Sequence, residues 1–293
     1  PEIQSLSGNI VQATINIYNT ISKELLPTPA KSHYTFNLRD LSKVFQGILM
    51  GDFRIMTEPE SMIRLWIHET SRVFHDRLIN DQDKNWFNNQ IVRQVGQIFR
   101  KDWTHEDIFE GTPVLFGDFM KGDLEAEDRN YEEITNFQKL TDVMYRLLDD
   151  YNYSGASTQM NLVFFQDALE HLCRICRILR QPRGNAMLVG VGGCGKQSLT
   201  RLAAHICNCR CFQIQITKSY GIGDFREDLK TLFKQAGGPE ELPTVFLLSD
   251  TQLVVESMLE DINNILNTGE VPSLFQKEEL EERLIQIQNQ LNE

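Results

Sequence analysis

A glycine-rich segment in the second half of the chain constrains the fold more than any other feature. The apolar run MLV at residues 187–189 leads into GVGGCGK at residues 190–196, which has the spacing G-x-x-x-x-G-K of a phosphate-binding loop. Glycines let successive backbone N–H groups turn toward one point without an obstructing Cβ. Apolar residues then follow at helical spacing: Leu199, Leu202, Ala203 and Ile206. The segment predicts a strand, an anion-binding loop and a helix whose N-terminus favours a polyphosphate.

The residue after the loop lysine departs from the pattern. A Ser or Thr, which would bind Mg²⁺, is expected there, but Gln197 occupies the position and Ser198 comes one residue later. We also count Leu162 and Val163, in a short apolar run before a predicted helix, among the nucleotide-binding candidates. The loop candidates are Gly190, Val191, Gly192, Gly193, Cys194, Gly195, Lys196, Gln197 and Ser198. The alternative is a glycine-rich turn that binds no ligand.

A second apolar run supplies the other half of a nucleotide site. The run VFLL at residues 245–248 is followed by Asp250, in the outline of a Walker B strand. Asp250, with Gln197, is therefore the candidate for holding Mg²⁺. The glutamate that ATPases use to activate water is replaced by Thr251, and Glu256, about a turn and a half into the next predicted helix, is a poor substitute for it. Because loss of a general base costs about 10²- to 10⁴-fold in rate, we expect slow hydrolysis and assign no catalytic residue. Alternatively, Asp250 caps the next helix.

The pattern of elements changes along the chain. Before residue 120 the apolar spacing is helical, and Asn37 with Asp40 has the form of a capping box. From residue 161, helices alternate with strands predicted at 186–189, 211–216 and 245–248, which indicates an open parallel α/β sheet. Asp224 is predicted to cap one of these helices. We divide the chain into a helical subdomain (1–120), a connector (121–160), an α/β domain (161–275) and a polar helical tail (276–293).

Composition excludes several classes of partner. The net charge of −12 argues against nucleic acid, and no run of eighteen apolar residues predicts a membrane span. The N-terminus has no signal-peptide pattern, and the missing initiator Met suggests part of a longer polypeptide. Cys173 and Cys176 form C-x-x-C, but they lie in an amphipathic helical pattern without a second such pair. Free cytosolic thiols are a better interpretation than zinc ligands.

Several segments resemble one known family. GNAMLVGVGGCGKQSLTRLA at residues 184–203 is similar to the fourth AAA+ module of dynein heavy chains, especially the axonemal type, as are FFQDALEH at 164–171 and EDINNILNTGEVP at 260–272. Gln197 is part of this resemblance, whereas Cys194 replaces the expected serine. HYTFNLRDL at residues 33–41 resembles the small helical subdomain of the third module. The resemblance implies that Arg39 is a sensor for a nucleotide held by the preceding large subdomain; the alternative is a surface charge.

The resemblance carries functional implications. It implies an AAA+ P-loop fold, ATP or ADP with Mg²⁺, and a regulatory role in minus-end-directed microtubule motility of cilia and flagella. It also implies contacts with neighbouring AAA+ modules, intermediate and light chains and microtubules through parts outside this chain, in the cytoplasm, the cytoskeleton and the axoneme. Two alternatives remain: a stand-alone P-loop switch or metabolic enzyme, and a structural dynein fragment with an empty site.

Overall fold

The computed structural model describes residues 2–52, 54–111, 113–121, 129–155, 159–238 and 243–291. Contacts divide the chain into two units, each described by itself. The first unit comprises Pro1–Asp150 and Asn161–Arg177, and the second comprises Tyr151–Met160 and Ile178–Glu293. Residues 122–128 and 156–158 of the predicted connector lie outside the described part. The fourfold division of the chain stays a prediction.

The first unit is mainly helical, as its apolar spacing predicts. Its regular elements are α1 (Glu2–Glu24), α2 (Leu38–Ile48), α3 (Pro59–Val73), α4 (Asp81–Gln97), α5 (His105–Phe109), a two-residue antiparallel pair of β1 (Phe116–Gly117) and β2 (Glu132–Glu133), most of α6 (Phe137–Tyr153), and α7 (Gln166–Arg180) as far as Arg177. The predicted capping box is confirmed: Asn37 accepts from the amides of Arg39 and Asp40, and Asp40 accepts from the amide of Asn37. This exchange satisfies amide groups that a helix N-terminus leaves unpaired.

Trp66 lies at the centre of the core of the first unit. Its ring is fully buried, and its indole nitrogen donates to Thr14 Oγ1 at 2.9 Å, which joins α3 to α1. A buried Trp retains its hydrogen-bonding group, so this partner avoids a desolvation penalty. The apolar residues packed in the same core include Ile17, Ile21, Tyr34, Val44, Ile63, Phe74, Phe87, Ile91 and Val95.

A buried carboxylate, that of Glu69, connects four segments of the first unit. Arg177 of α7 donates to it from Nε at 2.8 Å and from Nη2, and the Tyr131 hydroxyl donates at 2.8 Å. A Cβ at Gly47 of α2 would overlap the carboxylate, so the glycine allows its close approach. Burial disfavours the charge of Arg177, yet Glu69 raises the pKa of Arg177 above its usual value. The ion pair between Glu69 of α3 and Arg177 of α7 therefore holds α7 against the other helices of the first unit.

The second unit contains the glycine-rich loop and a parallel strand pair. Its elements are α8 (Lys196–Ile206), β3 (Arg210–Phe212), α9 (Ile222–Ala236), β4 (Thr244–Phe246), α10 (Ser257–Thr268) and α11 (Lys277–Leu291). β3 and β4 pair in parallel, with Arg210 opposite Thr244 and Phe212 opposite Phe246. The β3–α9–β4 sequence is a βαβ unit, which places the residues after both strands at the same edge.

The strands are shorter than predicted. The predicted strand at 211–216 covers only Arg210–Phe212, and the run at 245–248 forms a strand only over Thr244–Phe246, half-buried rather than buried. The strand predicted at 186–189 is wrong: these residues have no regular structure, and Met187 and Val189 are 89% and 85% exposed. Among the described residues, β3 and β4 pair only with each other, so this apolar segment has no strand beside it.

The start of α9 also differs from the prediction. Gly221, not Asp224, is the N-cap residue, and Asp224 lies three residues later, where its Oδ2 accepts from the Gly221 amide at 2.9 Å. The carboxylate thus stabilises the helix N-terminus from the first turn. Among the described residues, no helix has the length and apolar character needed to cross a membrane.

Candidate functional site

The glycine-rich loop leads directly into α8. Gly193 and Gly195 have φ values of 77° and 82°, in the left-handed region that favours glycine. Gly195 is the N-cap residue of α8, so the amides of the first turn follow the loop without interruption. Unpaired amides and the positive end of the helix dipole give this segment the form of an anion-binding nest.

Lys196, the first residue of α8, turns back over the loop. Its ammonium donates to the carbonyl oxygens of Gly190 and Val191, both at 2.7 Å, and lies 3.4 Å from Cys194 Sγ. A Cβ at Gly190 would lie 3.2 Å from Cys194 Sγ, so the first glycine keeps the loop narrow. The structure therefore places the Lys196 ammonium against the loop backbone.

The other predicted nucleotide-binding residues have different environments. Cys194 and Gln197 are exposed and Ser198 is half-buried. Leu162 and Val163 precede α7 and belong to the first unit, whereas the loop belongs to the second. Their contact with a nucleotide stays a prediction.

Asp250 lies just past β4 in a short 3₁₀ turn, Asp250–Gln252, rather than in the cap of a longer helix. The next helix, α10, begins at Ser257 with Glu256 as its N-cap residue. Asp250 is exposed, and its Oδ1 accepts from the Thr251 amide at 3.0 Å. An exposed carboxylate at the carboxyl end of a parallel strand is a hard oxygen ligand of the kind that Mg²⁺ prefers. The Thr251 hydroxyl contacts Ser249 Oγ at 3.0 Å.

Sequence reasoning missed the role of Gln252. This side chain is buried: its Nε2 donates to the Ile214 carbonyl oxygen at 2.6 Å, and its Oε1 accepts from the Ser249 amide at 2.8 Å. Ser249 and Gln252 have the S-x-x-Q spacing of a capping box, a signal that was present in the sequence. Gln252 thus joins the turn that contains Asp250 to Ile214, two residues beyond the end of β3.

The remaining candidates lie elsewhere. Arg39 is exposed near the N-terminus of α2, where its backbone amide donates to Asn37 Oδ1. Cys173 and Cys176 are buried thiols, and burial raises the pKa of Cys173 to about 12. Among the described residues, no group of three or more His, Cys, Asp and Glu side chains could hold a metal ion.

A G-x-x-x-x-G-K loop that opens a helix, a parallel βαβ unit and a helical unit earlier in the chain define the class: an AAA+ P-loop NTPase. Comparison with family profiles agrees. The profile described as "P-loop containing dynein motor region D4" matches residues 160–293, and an "AAA+ lid domain" profile matches residues 10–109.

Curated relatives extend this result. Over 97% of its length the chain is 51% identical to dynein axonemal heavy chain 6 of Homo sapiens, and over 95% it is 47% identical to dynein axonemal heavy chain 1 of Mus musculus. It is 46% identical to the Chlamydomonas reinhardtii dynein-1-beta heavy chain of the flagellar inner arm I1 complex. The chain belongs to the axonemal dynein heavy chain family, and it spans about 6–7% of the length of these relatives.

Proposed function

We propose that residues 161–275 are the nucleotide-binding part of the fourth AAA+ module of an axonemal dynein heavy chain, and that residues 1–120 are the small subdomain of the third. The order of the two profile matches supports this assignment, because a lid precedes the P-loop region along the chain. On this proposal, residues 1–120 are the lid, residues 121–160 are a connector, and residues 161–275 are an incomplete large subdomain. A polar helical tail follows at residues 276–293.

The loop binds the polyphosphate of ATP or ADP. The observation that carries this proposal is the combination of left-handed Gly193 and Gly195 with Lys196 folded over the loop. When a nucleotide binds, the Lys196 ammonium leaves the carbonyl oxygens of Gly190 and Val191 and contacts the outer phosphates instead. Asp250 and the exposed amide of Gln197 hold Mg²⁺, which neutralises phosphate charge when bound.

Hydrolysis in this module is slow or absent. Thr251 stands where a glutamate would activate water, and a hydroxyl is a poor base at neutral pH. Gln252 is an amide whose polar atoms bond Ser249 and Ile214, and Glu256 lies six residues beyond Asp250, at the N-cap position of α10. In this module the bound nucleotide therefore acts as a regulatory ligand rather than as a substrate for hydrolysis.

The regulatory role concerns neighbouring modules of the same heavy chain. Arg39 reaches the nucleotide of the preceding module, and nucleotide in the loop fixes the geometry between modules. The whole heavy chain, with its intermediate and light chains, then drives minus-end-directed movement on microtubules in the axoneme of cilia and flagella. Family membership favours this function over that of a stand-alone P-loop switch.

Equilibrium binding of fluorescent ADP tests the proposal. Lys196→Ala should weaken binding by about 10- to 100-fold, because it removes charge-assisted hydrogen bonds to phosphate. Lys277→Ala is the matched control, since this lysine of α11 is 85% exposed at its side chain. Equal affinities for wild type and Lys196→Ala would contradict the proposal.

A further inference from the structure

The polar contacts of Gln252 lie at the carboxyl edge of the β3–β4 pair. The last strand–strand contact on this side is the Leu247 amide donating to the Phe212 carbonyl oxygen at 2.9 Å. Two residues beyond Phe212, the Ile214 carbonyl oxygen accepts from the Gln252 side chain instead of from backbone. Gln252 therefore continues the connection between the two chain segments after the regular ladder has ended.

The same side chain closes the turn that contains Asp250. Gln252 Oε1 accepts from the Ser249 backbone amide and from Ser249 Oγ, the latter at 3.1 Å. The backbone amide of Gln252 also donates to the Ser249 carbonyl oxygen at 2.9 Å. Asp250 and Thr251 lie between these two joined residues. Because the turn is closed on itself and tied to Ile214, the position of the Asp250 backbone depends on Gln252.

An amide is suited to this position. The contact with Ile214 requires a donor, and the contacts with Ser249 require an acceptor; a glutamine side chain supplies both at once. A glutamate carboxylate could accept from Ser249 but could not donate to the Ile214 carbonyl oxygen. Leucine would fill similar space and make neither contact, leaving the Ile214 carbonyl without this donor.

We propose that Gln252 is a positioning residue that holds the Asp250 carboxylate where it binds the Mg²⁺ of a bound nucleotide. This inference rests on the proposed nucleotide-binding function and deepens it. Gln252 does not touch the nucleotide and acts only through Asp250. Its loss should therefore weaken the dependence of nucleotide affinity on Mg²⁺, while leaving metal-free binding by the loop and Lys196 unchanged.

The test compares ADP affinity in excess Mg²⁺ with affinity in EDTA for the full 293-residue chain. The ratio of the two dissociation constants is the Mg²⁺ enhancement. Gln252→Leu should lower this enhancement by about tenfold, an effect of the size of one buried hydrogen bond. Asp250→Asn gives the reference value for a lost metal ligand. Gln215→Leu, at an exposed glutamine next to Ile214, is the matched control and should keep the wild-type enhancement.

A second variant covers the case in which Gln252→Leu does not fold. Gln252→Glu keeps the acceptor for Ser249 and loses only the donor to Ile214. It should reduce the enhancement while the Ser249 amide stays protected from hydrogen exchange.

Three results would overturn the inference. A Gln252 variant with wild-type enhancement and a lowered melting temperature would make the residue merely structural. Wild-type binding that is indifferent to Mg²⁺ would remove Asp250 as a metal ligand. Wild type that binds no ADP even in EDTA would contradict the proposed function itself, and this inference with it.

Discussion

Replacing Arg177 with methionine should destabilise the first unit severely. The change leaves the fully buried Glu69 carboxylate without the guanidinium that donates to it from Nε at 2.8 Å and from Nη2. Removing one partner of a buried ion pair costs about 3–5 kcal/mol, because the remaining charge is uncompensated. Tyr131 still donates one hydrogen bond to Glu69, so we expect a loss near the lower end, about 3 kcal/mol.

The double variant Glu69→Met/Arg177→Met should recover most of this loss. Apolar residues of similar volume often replace a buried ion pair at little cost. The Tyr131 hydroxyl then loses its acceptor, which costs about 1 kcal/mol. The two single effects should therefore be strongly non-additive, as expected for residues in direct contact.

Tryptophan fluorescence during urea unfolding measures these changes selectively. All three tryptophans, Trp66, Trp86 and Trp103, lie in the first unit, so the signal reports on that unit alone. Arg54→Met is the control, because Arg54 pairs with Asp52 at the surface with 74% of its side chain exposed, and no measurable change is expected. A single variant that costs less than about 1 kcal/mol, or a double variant whose loss equals the sum, would refute the reasoning.

Three further predictions follow from individual side chains. Burial and the nearby Arg72 hold the pKa of His68 well below its usual value. In the folded protein, His68 Nδ1 contacts the Val114 carbonyl oxygen at 2.9 Å. Below about pH 6.5, His68 therefore takes up a proton in the unfolded chain but not in the folded one. The free energy of unfolding should fall by up to about 1.4 kcal/mol per pH unit below that pH, and His68→Asn should flatten this slope in pH-dependent urea titrations; an unchanged slope would contradict the assignment. Maleimide should label exposed Cys194 and block nucleotide binding, and bound ADP should protect Cys194 from the reagent. Labelling of exposed Cys211 should be the same with and without ADP. Equal labelling of Cys194 with and without ADP would show that the nucleotide does not cover this thiol. Thr251→Glu should raise ATP turnover by about 10²-fold or more if the missing base limits hydrolysis, measured as phosphate release, and an unchanged rate would show that another step is limiting.

The sequence predicted the parts of the fold that depend on local chemistry. The helix that follows the glycine-rich loop, the Asn37–Asp40 capping box and the helical periodicity before residue 120 each follow from neighbouring residues, and the structure confirms them. Strand extents were predicted less well, because pairing depends on partners distant in sequence. The apolar run at 186–189 satisfies the pattern of a strand, but the described residues place no strand beside it.

Long-range polar contacts were not predictable from the sequence. Glu69 and Arg177 are 108 residues apart, and no spacing rule connects a glutamate in α3 with an arginine in α7. Gln252 was predictable in part, because its S-x-x-Q spacing from Ser249 is local. Its contact with Ile214 depends on the parallel pairing of β3 and β4, which only the fold reveals.

Amide NMR of glycine-labelled protein tests the central claim most directly. With ¹⁵N-glycine in the chain, addition of ADP should shift the resonances of Gly192, Gly193 and Gly195, because their amides line the phosphate-binding loop. Adenosine, which has no phosphates, should leave these three resonances unchanged, and Gly117 of β1 should not respond to either ligand. Saturating ADP that leaves the loop glycines unshifted would contradict the account.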